Sequence, residues 1–256
     1  MESDVSQRRI QRRKQIRRRR IKIAFILFLI ISLMILVTLC FTVFFPIKRI
    51  NVSGSEIYSK EQIIKASGLT TEDNLFVVSK TKLEKKIRQK LPYIDDVALK
   101  RVLPDAVILT ITDAKERLYF ESNNQFYIVS ESGYVLKEQI DVPQNVFQVV
   151  SSGMQGNVGD VLKYEVSGEK ELIESIIKTL NKNEINIDKI DVSNALQITL
   201  NVEGRFSVLL GNKDYVEEKI AHMASMIESI GNREGKINLS MWTPENSQGS
   251  FVANKS

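Results

Sequence analysis

The chain has 256 residues, with 36 basic and 31 acidic side chains, a formal net charge of +5, one histidine and one cysteine. A lone cysteine excludes a disulfide framework, and one histidine with one cysteine inside an apolar run leaves neither a zinc site of the usual type nor a cysteine–histidine nucleophile pair. The charge is uneven: residues 1–22 hold ten of the basic and two of the acidic side chains, net +8, so the other 234 hold 26 and 29, net −3.

Arg17, Arg18, Arg19, Arg20 and Lys22 adjoin Ile23 to Phe45, 23 residues without a charge. As a helix this run would be about 34 Å long, which matches a hydrocarbon core of about 30 Å. A cleaved signal would have a shorter apolar region, about 7 to 15 residues, and small side chains at its end; here the run closes on Leu39-Cys40-Phe41 and Phe44-Phe45-Pro46. Leu39 also stands before Cys40 where a lipoprotein signal has Gly, Ala or Ser. The expectation is a permanent transmembrane helix over 23–45. Its basic tail, 1–22, stays in the cytoplasm on anionic lipid headgroups, and everything from Pro46 onward lies outside. The tail has no aromatic residues among its charges for base stacking, so nucleic acid is not the expected partner.

About 210 residues follow, enough for two small domains. Ile47 to Ser53 alternates as a strand that ends at Gly54. Ser59-Lys60-Glu61-Gln62 has the form of a capping box, with Gly68 placed to stop the helix. Thr81-Lys82-Leu83-Glu84 repeats that form, and Leu83, Ile87 and Leu91 recur until Pro92 ends a second helix. Tyr93 to Leu103 reads as a strand, Pro104-Asp105 turns, and Val107, Leu109 and Ile111 alternate. The predicted order is β-α-α-β-β over residues 46–114.

These stretches, "FPIKRINVSGSEIYSKEQIIKASGL" and "LPYIDDVALKRVLPDAVILTITD", resemble the polypeptide-transport-associated (POTRA) domain of the bacterial FtsQ/DivIB division proteins. Val52-Ser53-Gly54, Arg101 and Pro104 match the pattern of that family; Thr112-Asp113 and Lys115-Glu116-Arg117 depart from it. The resemblance implies an α+β protein. An N-terminal transmembrane helix leads to a POTRA-like domain, then a mixed α/β domain with a largely antiparallel sheet over 115–242, and a short tail over 243–256.

The second half fits that implication. Gln125 to Val129 and Tyr134 to Leu136 read as a hairpin turning at Glu131-Ser132-Gly133. Leu172, Ile173, Ile176, Ile177 and Leu180 form one helical face. Leu196, Ile198, Leu200 and Val202 alternate, Gly204 turns, and Phe206, Val208 and Leu210 alternate back. Val216, Ile220, Met223, Ile227 and Ile230 stripe a helix, and Ile237, Leu239 and Met241 make a final strand.

Candidates for chemistry are few. His222 lies off the apolar stripe of its helix and is expected in solvent; Asp95-Asp96 and Glu217-Glu218 are adjacent pairs whose side chains diverge. Ser79-Lys80-Thr81-Lys82 and Ser167-Gly168-Glu169-Lys170 satisfy Ser-x-x-Lys, and Ser122-Asn123-Asn124 gives Ser-x-Asn, but no Lys-Thr-Gly follows. Both serines are expected as helix caps. Gly153 to Gly159 is Gly-rich without the strand-to-helix setting of a phosphate loop and is expected as a turn-rich loop. No catalytic, cofactor or metal site is expected.

The reading is a non-enzymatic, single-pass scaffold of the divisome at the septal membrane. The resemblance implies FtsL and FtsB/DivIC-type partners, bound through the last strand. The residues expected there are Ile237, Asn238, Leu239, Ser240, Met241, Trp242 and Phe251. In the family the pattern there is close to Ile-Asp-Leu-Arg; Asn238 and Ser240 stand in for the acid and the base. The alternatives are an extracytoplasmic cell-wall hydrolase with a carboxylate site, and a generic envelope-transport module built on the POTRA-like domain.

Overall fold

The structure, a computed structural model, describes residues 22–38, 45–246 and 248–254. Helix α1 occupies residues 22–38, and every residue along it is exposed, including Phe25, Phe28 and Leu33. Among the described residues no helix is long and apolar enough to cross a membrane. Residues 39–44 of the expected 23–45 span, Cys40 among them, and Arg17 to Arg20 lie outside the described residues.

Strand β1 (Arg49–Ser53), helices α2 (Lys60–Ser67) and α3 (Lys80–Lys90), and strands β2 (Ile94–Val102) and β3 (Ala106–Asp113) follow in the predicted order. They make a three-stranded sheet, β1-β3-β2, with β1 parallel and β2 antiparallel to β3. The box before α2 is complete: Gln62 N donates to Ser59 Oγ at 3.3 Å and Ser59 N to Gln62 Oε1 at 2.9 Å. Gly68 then stops the helix at φ 66. The second capping expectation is corrected. Helix α3 starts at Lys80, so Thr81 lies inside its first turn and Ser79 holds the N-cap position without a side-chain bond. Ile63, Leu83 and Ile87 are buried against Val52, Val97, Val107 and Leu109. Each such side chain contributes about 1.5–3 kcal/mol by leaving water.

The second sheet draws on β4 (Glu116–Ser122), β5 (Gln125–Ser130), β6 (Val135–Gln139) and β7 (Phe147–Val150). Beyond a small ribbon, β8 (Met154–Gln155) with β9 (Lys163–Tyr164), and helix α4 (Glu169–Lys182), it continues through β10 (Ile187–Asp191), β11 (Ile198–Val202) and β12 (Phe206–Gly211). Helix α5 (Val216–Ile230), β13 (Gly235–Asn238) and β14 (Ser250–Ala253) complete it. The nine strands run β14-β13-β12-β11-β10-β7-β4-β5-β6. Five of the eight pairings are antiparallel; β12–β13, β10–β7 and β4–β7 are parallel.

Helices α4 and α5 lie side by side, joined by Ser175 Oγ donating to Glu217 Oε1 at 2.7 Å. Their buried stripes, Ile173, Ile176, Ile177 and Leu180 with Ile220 and Met223, meet Ile198, Leu200, Val202, Phe206 and Val208. Asn201 and Ser207 alternate away from these and are exposed. The Gly-rich stretch differs from expectation, because β8 lies within it and Gly159 packs on α3: a Cβ there would stand 2.9 Å from Arg88 O. Between the sheets, Ala114 is buried with Ile128 and Leu136 against Tyr93 and Tyr119.

Candidate partner-binding edge

Strand β13 stops at Asn238, shorter than the alternation of Ile237, Leu239 and Met241 predicts. The cause is local. Asn238 Oδ1 accepts from Ser240 N at 2.9 Å and Ser240 Oγ at 2.8 Å, a turn that competes with the ladder. Trp242 N then donates to Leu239 O at 3.1 Å. Gly211, at φ 78, lets Ser240 come so close that a Cβ would lie 2.8 Å from Ser240 Cα.

Nor does β13 form the edge. After paired backbone bonds between Thr243 and Asn246, at 3.0 and 3.1 Å, the chain returns as β14, antiparallel to β13. Ile237 faces Phe251, and Asn254 N donates to Glu234 O at 3.0 Å. Gly235 has to be a glycine: a Cβ would lie 2.2 Å from Val252 O. Ladder groups alternate sides, so those of Val252 face β13 and those of Phe251 and Ala253 face outward. Among the described residues no further strand pairs with β14.

The expected site residues therefore separate. Ile237, Leu239 and Trp242 belong to the core, at 1, 0 and 8% exposure, whereas Met241 is exposed. The expectation that Trp242 is displayed to a partner is corrected: its indole is buried, and Nε1 has no hydrogen-bond partner among the described residues. His222 is corrected with it. The returning segment covers that flank of α5, the His222 ring is half-buried, and its centroid lies 5.7 Å from that of Trp242. Phe251 lies against Phe206 and below Arg233, leaving Val252, 65% exposed, as the apolar side chain on show. Ser250 to Ala253 lies in the stretch 243–256 expected as a tail; the β-prone pair Phe251-Val252 before Asn254 is the signal that marks it as a strand.

Residues 45–113 match the family described as POTRA domain, FtsQ-type. The chain is 29% identical over 223 residues to the cell division protein DivIB of Clostridium tetani, covering 83% of both chains. It is 27% identical over 212 residues to DivIB of Clostridium acetobutylicum, covering 80% of this chain and 84% of that one. This chain belongs to the FtsQ/DivIB family. DivIB of Bacillus subtilis matches over 131 residues at 33% identity, covering 51% of this chain and 49% of that one.

Physical reasons exist for the FtsQ/DivIB signature residues. Gly54, at φ 98, passes so close to β3 that a Cβ would lie 2.2 Å from Ile111 O. Arg101 holds the loop before α3, donating from Nε to Leu75 O at 2.8 Å and from Nη2 to Val78 O at 2.6 Å. Asp113, where the chain departs from the pattern, accepts from Ser55 Oγ at 2.6 Å and from the amides of Glu56 and Ile57 at 2.7 and 3.3 Å. Lys115 leads directly into β4, which opens with Glu116 and Arg117. Glu116 accepts from Tyr93 Oη at 2.6 Å, and Arg117 pairs with Glu174 at 3.6 Å. Burial, then this bond, raises the Tyr93 phenol above its ordinary range.

The chemistry candidates stay apart. Asp96 pairs with Lys80 at 3.3 Å while Asp95 accepts from Ser132. Neither Ser79 nor Ser167 bonds the lysine of its tetrapeptide among the described residues, and neither hydroxyl caps a helix, since Gly168 holds the N-cap of α4. Three charged side chains, Arg88, Glu169 and Lys219, are buried without a mark in the sequence. Glu169 accepts from Ser151 Oγ at 2.7 Å, and Lys219 Nζ donates to Leu210 O at 2.8 Å. Burial lowers the Lys219 pKa.

Proposed function

We propose that the chain is a non-enzymatic, membrane-anchored scaffold of the bacterial division machinery that captures FtsL and FtsB/DivIC-type partners outside the membrane. The observation that carries it is the outer edge of β14, where the backbone groups of Phe251 and Ala253 face away from β13. An extended segment adding there would extend the nine-stranded sheet by one strand, with backbone bonds for affinity and Val252 for side-chain contact. The cell division names of the DivIB relatives support the setting. Support for the anchor comes from the uncharged run 23–45, the apolar exposed α1 and the +8 tail, which together favour a cytoplasmic N-terminus and a septal, extracytoplasmic body.

The test is truncation after Asn246, which removes β14 and spares Ile237, Leu239 and Trp242. Co-purification with a coexpressed DivIC-type partner should be lost while the helical and sheet circular dichroism persists. Retention at wild-type affinity overturns the β14 assignment. Protease added to wall-less cells should digest everything beyond the first 50 or so residues; protection of the body overturns the topology.

A further inference from the structure

The end of the POTRA domain where the chain enters carries apolar side chains that its own core does not use. Val77 is 73% exposed and Leu103 61%, and Phe76 beside Val77 is also exposed. They sit on two adjacent loops, one before α3 and one between β2 and β3. The first loop is held rigidly. Phe76 N donates to Asn74 Oδ1 at 2.9 Å, Val77 N to Asn74 O at 3.1 Å, and the Arg101 guanidinium holds the carbonyls on either side of the pair. A fixed turn that turns apolar groups outward, with an arginine spent on holding it, signals a surface that is covered in use.

What covers it follows from the chain itself. Phe45 is the last residue of the uncharged run. Its carbonyl accepts from Leu75 N at 2.9 Å, and its ring meets Phe76 edge-on at 5.1 Å. If the run ends at the bilayer boundary, Phe76 and Val77 are at that boundary too, one hydrogen bond away. The neighbouring charges suit an anionic surface. Lys48, Lys82 and Lys100 are exposed around this end, whereas Arg49 is paired with Asp105 at 2.8 Å, Lys80 is paired with Asp96 at 3.3 Å, and Glu72 is the exposed acid. The nine-stranded sheet begins at the far end of β3, whose eight residues span about 26 Å, so it stands clear of this face.

We propose that Phe76, Val77 and Leu103 form a second, interfacial membrane contact. They enter the headgroup layer of an anionic bilayer and fix the POTRA domain against the membrane rather than leaving it on a swivelling tether. This rests on the anchor proposed above. Anionic headgroups meet the lysines, and the three side chains reach the acyl boundary.

The test uses the full chain in bilayer nanodiscs of phosphatidylcholine with phosphatidylglycerol. Cys40→Ser removes the only native cysteine, and Val77→Cys, Leu103→Cys or Ile57→Cys carries an environment-sensitive nitrobenzoxadiazole label. Ile57 is an exposed residue of the same domain bonded at its opposite end to Asp113. Labels at positions 77 and 103 should shift to shorter wavelength and lose emission to spin-labelled lipid, while the label at 57 should do neither. The shift should shrink without phosphatidylglycerol or at high salt. If the chain is retained by the bilayer but all three labels stay water-exposed, the contact is wrong and the anchor stands. If the chain does not associate with lipid at all, the anchor reading fails first. A shift at 77 that appears only on adding a division partner marks a protein surface and overturns the lipid assignment.

Discussion

The Arg88 guanidinium lies 3.7 Å over the ring of Tyr134, linking α3 of the POTRA domain to the turn between β5 and β6. Arg88 is 5% exposed, and its Nε also donates to Ile94 O at 3.1 Å while Nη2 meets Glu84 at 2.7 Å and the Asp95 carbonyl. One side chain thus completes the corner of the first sheet and seats the second upon it.

The two halves of this contact should separate on mutation. Arg88→Ala strands buried carbonyls and the Glu84 charge, so it should cost about 3 kcal/mol. Tyr134→Leu keeps the apolar cover and loses only the cation–π attraction, about 1 kcal/mol. Urea unfolding followed by circular dichroism would measure both. Equal losses would mean that the ring, not the hydrogen bonds, is what Arg88 supplies.

Asp113 and Gly54 hold the opposite side of the same sheet. Asp113→Ala removes three acceptor contacts to the loop 55–57 and should destabilise by about 2 kcal/mol. Gly54→Ala should cost more, because it combines a left-handed φ of 98 with a clash on the β3 backbone that no rotamer relieves. Calorimetry should rank the midpoints as wild type, Asp113→Ala, Gly54→Ala. A wild-type midpoint for Gly54→Ala would contradict the close approach.

What the sequence revealed follows periodicity. Ser59-x-x-Gln62, the Leu83/Ile87 spacing and the alternation of Ile198 to Leu210 each encode a local preference that packing reinforces, so those elements are legible. Long-range closure is not. Nothing near Trp242 tells that the chain returns through Ser250–Ala253 to cover Ile237, because the pairing joins segments separated by an irregular turn. Similarly, Arg88 reads as one more cation on a Lys-rich helix until Tyr134, 46 positions away, is brought over it.

Alkaline pH should weaken the fold through Tyr164. Burial first, then Glu174 and Glu169, push its phenol up to about 12 from an ordinary value of 10. From about pH 10 the unfolded chain releases this proton while the folded chain keeps it. Stability present below pH 10 is therefore lost progressively up to about 12. The half-buried phenol of Tyr93 acts in the same direction. Tyr164→Phe should flatten the dependence in urea titrations between pH 9 and 11. An unchanged slope would show that Tyr164 ionises freely in the folded protein.

Trp242 and Ala253 should dissociate folding from partner capture. Trp242→Ala empties a core position beneath His222 and should cost about 3–5 kcal/mol, so any loss of capture would accompany loss of structure. Trp242→Phe keeps most of the apolar volume and removes an indole N–H that has no partner among the described residues, so the fold and capture should both persist. Ala253→Pro acts the other way. The Ala253 N–H faces away from β13, so proline there removes an outward donor without breaking the existing ladder, the situation in which edge strands tolerate proline. The variant should melt within a few degrees of wild type yet lose most of its affinity for a DivIC-type partner in a calorimetric titration. If Ala253→Pro binds as well as wild type and Trp242→Phe does not, the partner reads the Trp242 side of the sheet and the β14 edge is left to solvent.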